Sequence, residues 1–304
     1  MENIKTHLDS IKPKLSVVIG ANNAQATISE CLTVVRNQLN GQGVEIIVVD
    51  NSTDGTAEIV SNQFPDVKLI RSPESNFIPE LWEIGISQGT SDIVAITTAH
   101  FVPGKNWIAG ILKTHEKSYV GIGGAIENDE IGGLIEWAIY FCRYSSFMLP
   151  FPEASVKDFA GDNASYKRWA LDRCKHVRDN GFWEPFVHAE LLKNGQELLL
   201  TPTIVVYHKK SFSLLGFMKQ RFWHGRQFGG TRASGLNSIW RLIYILLSPL
   251  IPIMYLSRIT RRILVKKRHL GKYLLSLPIL VLFLLSWATG ELSGYLWRSE
   301  SKKW

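Results

Sequence analysis

The chain has 304 residues, 45% of them hydrophobic and 20% charged, so it is neither disordered nor collagen-like and can form one large domain or two modest ones. Its three cysteines, Cys31, Cys142 and Cys174, are too few and too scattered for a disulfide framework or a zinc ribbon, and they indicate reduced thiols. The net charge of +7 divides into −8 for residues 1–205 and +15 for residues 206–304, an asymmetry that predicts an anionic partner surface, either membrane or nucleic acid.

Short apolar runs alternate with helical patterns along the first hundred residues. Each run is rich in β-branched residues and bounded by turn formers, which is typical of a buried strand. After a polar lead-in over residues 1–13, strands are predicted at Leu15–Ile19, Glu45–Val49, Val67–Ile70 and Ile93–Ile96, and helices at Ala26–Leu39, Thr56–Phe64 and Phe77–Gln88. Thr27 and Glu30 form a capping-box pattern at the start of the first helix. This alternation predicts an α/β domain with a mostly parallel sheet.

Beyond residue 105 the alternation is less regular. Helices are predicted at Trp107–Ser118, Ile131–Phe147, Ala164–Arg173 and Val187–Lys193, and strands at Tyr119–Ala125, Leu198–Leu200 and Ile204–Val206. Asp162 precedes the third of these helices, where a side-chain cap is expected. The sheet domain is therefore predicted to extend over residues 14–208.

The rest of the chain is basic and apolar. Residues 209–237 are predicted to form a basic amphipathic connector, and residues 238–304 to anchor the protein in a membrane. Two segments, Ser238–Ser257 and Tyr273–Trp297, are each long enough to cross a bilayer, and aromatic residues lie near their ends. A pair of buried core helices is the alternative.

The topology of the two apolar segments is left open by the sequence. The residues between them, Arg258–Lys272, include seven Lys/Arg, so the positive-inside rule predicts that they are cytoplasmic. Two complete spans would place these residues on the opposite face from the sheet domain, which is itself predicted to lie on the cytoplasmic face of the membrane. Pro249 and Pro252 interrupt the first segment, so a bent, re-entrant or in-plane segment would reconcile the two signals.

Polar residues follow three of the predicted parallel strands. The carboxyl ends of such strands form the ligand-binding edge of an open sheet. Neither GxGxxG nor GxxxxGK[ST] occurs after the first strand, which argues against a dinucleotide site and a P-loop. An aspartate at this edge can accept a hydrogen bond from a base or a ribose hydroxyl, although alone it is more often a turn former. The candidate ligand-binding residues are Gly20, Asn22, Asn23, Asp50, Asn51, Thr98 and His100.

Five blocks of the sequence, in this order, resemble those of family 2 glycosyltransferases. They are SVVIGANN (Ser16–Asn23), EIIVVDNSTDGT (Glu45–Thr56), SDIVAITTAHFVPGKNWI (Ser91–Ile108), GDNASYKR (Gly161–Arg168) and GFWEPFVHAELLKNGQEL (Gly181–Leu198). The second block is the most specific, and the resemblance covers about residues 14–208. It implies a Rossmann-like GT-A fold, a nucleotide-diphosphate-sugar donor and, usually, inversion at the anomeric carbon. Membrane-bound members often act on lipid-linked or polymeric acceptors at the cytosolic face.

The resemblance implies roles for the residues at the strand ends. Asp50 matches the aspartate that contacts the nucleobase, Asn51 lies beside it, and Asn23 matches the polar residue that ends the first block. The family's metal-binding DxD motif falls on Thr98-Ala99-His100, so both carboxylates that would hold Mg²⁺ or Mn²⁺ are missing. His100 is then the candidate metal ligand, or it hydrogen-bonds the diphosphate directly, and dependence on a divalent metal stays open.

An inverting transfer needs a general base that takes the proton of the acceptor hydroxyl. The family supplies this base from an acidic motif before a helix, which Glu184 matches. Glu190 and Asp162 are the alternative catalytic candidates. Without the resemblance, Glu184 would be interpreted as a first-turn acid favoured by the helix dipole.

The segment Lys219–Arg226 occupies the place where the family closes a Gln, an Arg and a Trp over the diphosphate and the acceptor. An arginine here could stabilise the leaving diphosphate through paired hydrogen bonds. A basic helix that lies on anionic headgroups is the alternative interpretation. The residues that match loosely are Gln220, Arg221, Trp223, His224 and Arg226.

Together these patterns predict a membrane-associated glycosyltransferase that moves a sugar from a nucleotide-diphosphate sugar to a lipid-linked or polysaccharide acceptor. A catalytically inactive subunit of the same fold, with a binding or scaffolding role, is the alternative that the altered DxD position suggests. A nucleic-acid partner is not expected, because the basic residues flank bilayer-length apolar segments and the sheet domain is acidic.

Overall fold

The computed structural model describes residues 12–75, 77–129, 132–179, 181–209 and 212–297. Nearly all of the predicted polar lead-in and the last seven residues of the predicted anchor lie outside the described residues. The chain divides into two compact units, residues 1–127 with 149–209 and residues 128–148 with 210–304. The second unit therefore takes in a short insertion from the middle of the predicted sheet domain.

The first unit is built on one mixed sheet. Its nine strands, within the described residues, are β1 (Leu15–Ala21), β2 (Val44–Asp50), β3 (Lys68–Arg71), β4 (Ile93–Thr98), β5 (Phe101–Pro103), β6 (Gly121–Asn128), β7 (Ala154–Val156), β8 (Asn163–Lys167) and β9 (Leu198–His208). The strand order is β3-β2-β1-β4-β8-β6-β9-β5, and β7 also pairs with β9. The first four strands of this order are parallel, whereas β8 is antiparallel to both β4 and β6. The predicted α/β class is confirmed, and the predicted parallel pairing is found among β1, β2, β3 and β4.

Helices flank this sheet and form the second unit. In chain order they are α1 (Ile28–Arg36), α2 (Thr56–Gln63), α3 (Ile78–Gln88), α4 (Trp107–Thr114), α5 (Leu134–Tyr144), α6 (Arg168–Arg173), α7 (Glu184–Lys193), α8 (Leu214–Ser234), α9 (Ser238–Leu247), α10 (Ile251–Lys266) and α11 (Leu270–Leu296). Buried β-branched residues account for the central strands: every residue of β1 is buried, and its neighbours β2 and β4 shield it on both edges.

The helix predicted at Ala164–Arg173 is wrong in its first half. Residues 163–167 form β8, and only Arg168–Arg173 is helical. Ala164 pairs with Ile96 of β4 on one side and with Gly123 of β6 on the other, so pairing with two distant strands overrides the local helical preference. Asp162 consequently precedes a strand and does not cap a helix.

Smaller corrections concern the ends of elements. Strand β1 continues through Gly20 to Ala21, because both residues pair with β2. The Thr27 side chain makes no capping hydrogen bond to α1, so the predicted capping box is absent. The two predicted closing strands are one strand, Leu198–His208, whose two halves pair with β7 and β5.

Close packing of two helices dominates the second unit. A Cβ atom on Gly225 of α8 would lie 2.3 Å from the carbonyl oxygen of Trp287, and one on Gly290 of α11 would lie 2.0 Å from that of Phe222. Only glycine permits such an approach of the two backbones. α5 packs on the start of α11, where the Trp137 and His269 rings are 4.6 Å apart.

Two stretches of the second unit are long and apolar enough to cross a membrane, among the described residues. The first, Ser238–Lys266, comprises α9, a 3-10 turn at Ser248–Leu250 and α10, so regular α-helical geometry is interrupted where the sequence places Pro249. The second is α11. No residue of α9 is buried, whereas α11 buries residues along its whole length.

Candidate active site

The parallel register brings the predicted strand-end residues to one edge of the sheet. Ala21 pairs with Asp50, and Gly20 pairs with Thr98. Just beyond, the Asn22 side chain donates a hydrogen bond to Asn51 Oδ1 at 2.9 Å. The residues that follow β1, β2 and β4 therefore form one polar edge, as expected of a ligand-binding crevice.

Asp50 ends β2 with a fully buried side chain. Its Oδ1 accepts hydrogen bonds from the Ser52 backbone N–H, at 3.0 Å, and from the Ser52 hydroxyl. Its Oδ2 pairs with the guanidinium of Arg71, which also donates to the carbonyl oxygen of Ser52 at 2.9 Å. The carboxylate thus holds the turn after β2 in shape, and its contact with a nucleobase stays a prediction.

Asn23 locks the two neighbouring turns together. Its backbone is left-handed, with φ of +46°, a conformation that asparagine tolerates better than most residues. Its N–H donates to Ser52 Oγ at 2.8 Å, and its Oδ1 accepts from the backbone N–H of Thr53 at 3.0 Å. Asn51 is anchored by a 2.7 Å hydrogen bond to the carbonyl oxygen of Ser75.

The residues at the DxD position do not fit a divalent cation. His100 is buried, its Nε2 lies 3.1 Å from the carbonyl oxygen of Asn22, and its Nδ1 lies 3.3 Å from Thr27 Oγ1. The carbonyl requires the proton on Nε2, so the Nδ1 lone pair faces the Thr27 hydroxyl. Thr98 is also buried, and no cluster of three His, Cys, Asp or Glu side chains suited to a metal occurs in the described part of the chain.

Glu184 and Asp162 come together in the same unit. Glu184 is the first residue of α7, where Pro185 suits the first turn. Its Oε1 accepts a 2.8 Å hydrogen bond from the backbone N–H of Gly161, the residue before Asp162. The carbonyl oxygen of Asp162 in turn accepts from Thr97 Oγ1 at 2.7 Å, which links this group to the end of β4.

The environment of Glu184 raises the pKa of its carboxylate toward neutrality. Burial, together with the negative charges of Asp162 and Asp158, raises the pKa of Glu184 to about 7, against the lowering effect of backbone hydrogen bonds. A carboxylate with such a pKa is about half ionised at neutral pH and mostly ionised above it, and the ionised form accepts a proton readily.

Glu190 has a different environment. It lies about 9 Å further along α7, at ~1.5 Å per residue. Its carboxylate accepts from the Asn194 side chain at 3.0 Å and lies 3.7 Å from Lys193 Nζ. His176 Nε2 approaches it to 3.6 Å. These partners favour a structural role for Glu190 at the end of the helix.

A chain of hydrogen bonds from the buried Tyr166 and His188 to the exposed Asp158 supports the loop beside Glu184. His188, one turn further along α7, lies 2.6 Å from Asp158 Oδ1 through Nδ1 and 2.8 Å from the Tyr166 hydroxyl through Nε2. Burial, with the charges of Glu184 and Asp158, raises the pKa of Tyr166 well above its usual value. Its hydroxyl therefore stays protonated and donates a hydrogen bond to His188 Nε2. The chain ties α7 and β8 to the segment that leads to Gly161.

The five residues of the Lys219–Arg226 segment that are predicted to lie near the diphosphate or the acceptor are all on α8, in the second unit. The Arg221 guanidinium lies 4.4 Å from the centroid of the Trp287 ring, and that of Arg226 lies 5.4 Å from the Trp223 ring. Gln220 Oε1 and Arg221 Nε are buried without a hydrogen-bond partner among the described residues. Their role toward a diphosphate stays a prediction.

His224 lies in the same basic region of α8. Burial, with repulsion from Arg221 and Arg143, lowers the pKa of His224 to about 3, so its ring is neutral at physiological pH. It contributes no positive charge toward a phosphate group.

Sequence reasoning missed three contributors to the site. Arg71 is recognisable only from the register that pairs it with Asp50. Trp82 donates from its ring N–H to the carbonyl oxygen of Thr97 at 2.7 Å, and His188 supports the Gly161 loop. Each acts through a partner that is distant in sequence, and no local motif announces it.

Comparisons with known proteins agree with this fold. A mannosyltransferase from Pyrobaculum calidifontis, PcManGT, solved in complex with GDP-Man and Mn²⁺, matches with a TM-score of 0.58 and 17% identity, over 96% of this chain and 89% of that one. TarS 1-349 from S. aureus matches with a TM-score of 0.51 and 14% identity, over 93% and 89% of the two chains. No curated protein matches the sequence.

The fold is the GT-A fold of these glycosyltransferases. The sequence profile described as Glycosyl transferase family 2 matches residues 16–174, more than half of the chain. The protein belongs to this family, which confirms the resemblance noted in its sequence blocks.

Proposed function

We propose that the protein transfers a sugar from a nucleotide-diphosphate sugar to a lipid-linked acceptor, with inversion and with Glu184 as the general base. The observation that carries the proposal is the half-buried Glu184 carboxylate, held by the Gly161 N–H and raised in pKa to about 7. The nucleotide-sugar donor is supported by the GDP-Man complex of the similar mannosyltransferase. A polysaccharide acceptor is the alternative.

The proposed reaction is a single displacement. Glu184 takes the proton of the acceptor hydroxyl while the hydroxyl oxygen forms a bond to C1 of the donor sugar. The bond from C1 to the diphosphate oxygen breaks, and the nucleoside diphosphate leaves with the electron pair. Because attack and departure occur on opposite faces, the anomeric configuration inverts. The Gly161 N–H orients Glu184 by holding Oε1.

Membrane association of the second unit is part of the proposal. Its long helices expose large apolar side chains to solvent, among them Ile239 at 72%, Ile253 at 66% and Leu274 at 65% of their maximal area. A soluble protein rarely exposes such an extended apolar surface. The seven basic residues of Arg258–Lys272 favour the cytoplasmic face. An apolar surface suits a lipid-linked acceptor.

The test is transfer by the full chain in detergent, with UDP- and GDP-sugars as donors and a polyprenyl phosphate as acceptor. We expect Glu184→Gln to lower kcat by about 10²–10⁴-fold with little change in donor affinity. The matched control is Glu190→Gln on the same helix, which should retain most of the activity. In the parent, the rate should fall as the pH drops below about 7, because protonated Glu184 cannot accept a proton.

Three outcomes would contradict the assignment. If Glu184→Gln keeps its activity while Asp162→Asn loses it, Asp162 is the base. If only a polysaccharide accepts the sugar, the lipid-linked acceptor is wrong. If the parent binds donors by calorimetry but turns over none of them, the chain is a binding subunit.

A further inference from the structure

The second half of α11 packs against α8 along its length. The Phe217 and Phe283 rings are 4.6 Å apart, and further along, Arg232 Nη1 lies 3.3 Å from Glu291 Oε1 and 3.0 Å from the Tyr295 hydroxyl. The contacts advance in the same direction on both helices, so the helices are parallel. At ~1.5 Å per residue, they run side by side for about 18 Å along α11 and about 22 Å along α8.

Helix α8 is too polar for the interior of a bilayer. The part of α8 that runs alongside α11 includes Arg221, Arg226 and Arg232, and Arg232 forms an ion pair with the buried carboxylate of Glu291. A span needs about 20 residues. Helix α11 has 27 residues, so a crossing helix could keep only about seven outside the hydrocarbon. The stretch lined by α8, which begins at Phe283, is longer than that, so a crossing would carry Arg221, whose guanidinium lies over the Trp287 ring, into the membrane, where an arginine is costly.

The opposite surface of the unit is apolar. Leu274, Leu275, Leu282 and Leu285 of α11 are exposed, whereas its other face is buried against neighbouring helices. Both α9 and α10 also expose large apolar side chains. A helix that is covered by polar protein on one side and exposes leucine on the other has the pattern of an interfacial helix.

Positive charge lies at one end of this apolar surface. Arg258, Arg261 and Arg262 of α10 and the following Lys267 are all exposed, and Leu264 and Val265 between them are exposed as well. Basic side chains that border an apolar face bind anionic lipid headgroups. The partner that this surface fits is therefore an anionic phospholipid surface.

We propose that the second unit rests on one face of an anionic bilayer and that neither of its two long apolar stretches crosses it. The inference rests on the membrane association in the proposed function. It removes the conflict between the positive-inside rule and two complete spans, because a unit that does not cross leaves Arg258–Lys272 on the same side as its chain ends.

Cysteine labelling of the full chain in sealed membrane vesicles of known orientation tests the proposal. The probes are Lys219→Cys on α8, Lys267→Cys between α10 and α11, and a cysteine added after Trp304, each in a Cys142→Ala background. Cys31 and Cys174 are buried, and the background variant without a probe measures their residual labelling. We expect a membrane-impermeant maleimide to label all three probes from the cytoplasmic side and none from the other.

Labelling of any probe from the opposite side would overturn the proposal, because it requires at least one crossing. Recovery of the parent chain in the soluble fraction would overturn it too, by removing the membrane association. The labelling needs no donor or acceptor, so loss of the proposed transferase activity leaves its outcome readable.

The lipid partner is tested by charge. The double variant Arg261→Gln with Arg262→Gln should lower the preference of the full chain for vesicles that contain phosphatidylglycerol over pure phosphatidylcholine vesicles, by about tenfold or more. The control, Lys105→Gln with Lys113→Gln, removes the same charge from exposed positions of the first unit and should cause no such shift. Equal behaviour of the two pairs would contradict an anionic surface as the partner.

Discussion

Single side chains at the strand ends of the first unit hold the polar edge of the sheet in shape. Asp50 is the clearest case, because its carboxylate is fully buried and bound to Ser52 and Arg71. The strand-end motif predicts the position of Asp50 at the edge of the sheet, which is where the residue lies. The role of the residue there depends on Arg71, which is 21 positions away.

Asp50→Ala is expected to weaken nucleotide binding by the full chain. The variant leaves the Ser52 N–H without its acceptor and releases Arg71, and loss of a charged hydrogen bond costs about 1.5–3 kcal/mol, or roughly 10- to 150-fold in affinity. Calorimetric titration with UDP and GDP measures the change. The control is Asp66→Ala, which removes an exposed ion pair with Arg36 and should have little effect. Equal affinities for Asp50→Ala and the parent would exclude the nucleotide role.

Metal removal is the second prediction at this scale. Thr98 and His100 replace the two carboxylates, and both His100 nitrogens face protein oxygens. We therefore expect turnover to persist in EDTA, and any stimulation to be greater with Mn²⁺ than with Mg²⁺. A metal-dependent glycosyltransferase assayed in parallel is the control. Complete loss of activity in EDTA, restored equally by Mg²⁺, would show that the site binds a metal after all.

At the scale of elements, the contact of α8 with α11 depends on glycines at the points of closest approach. Gly225 meets the backbone at Trp287, and Gly290 meets it at Phe222. Each helix carries its glycines four residues apart, Gly225 with Gly229 and Gly290 with Gly294, a spacing that favours close helix packing. Which helix lies against these glycines becomes visible only in the structure.

Gly290→Ala should destabilise the second unit. The added methyl group would lie 2.0 Å from the carbonyl oxygen of Phe222, so the helices must separate, and overpacking of this kind costs about 1–3 kcal/mol. The control is Gly271→Ala on the same helix, where nothing lies within 4 Å and alanine favours the helix. Thermal unfolding of the full chain in detergent should show a lower midpoint for the first variant only. Equal midpoints would mean that the helices are not so closely packed.

At the scale of the whole molecule, the division into units does not follow a single cut in the chain. Residues 128–148 interrupt the sheet unit and belong with the C-terminal helices. Within that second unit, Trp137 and Phe141 of α5 are buried, and Phe141 packs on Tyr273 of α11 at 5.5 Å. A fragment that ends near residue 209 therefore keeps α5 but loses its packing partner.

We expect the fragment 1–209 to aggregate, because α5 then exposes a large aromatic surface. A second fragment, in which a short Gly/Ser linker replaces residues 128–148, should be monodisperse by size-exclusion chromatography. The ends to be joined are close, since the Leu149 N–H donates to Glu127 Oε1 at 2.9 Å. A monodisperse 1–209 fragment would show that the insertion does not depend on the C-terminal helices.

The sequence by itself determined the α/β class, the parallel strands and the placement of Asp50 and Glu184 at element ends. These features are local, because strand and helix periodicities and turn residues act over a few positions. It also located the two apolar stretches, since length and composition suffice for that.

Tertiary structure alone decided which distant groups meet. The segment 163–167 is a strand only because β4 and β6 lie on either side of it. Glu184 acquires its raised pKa from burial and from Asp162 and Asp158, which come close through the fold. Burial and long-range pairing depend on the whole chain, so no local pattern could have predicted them.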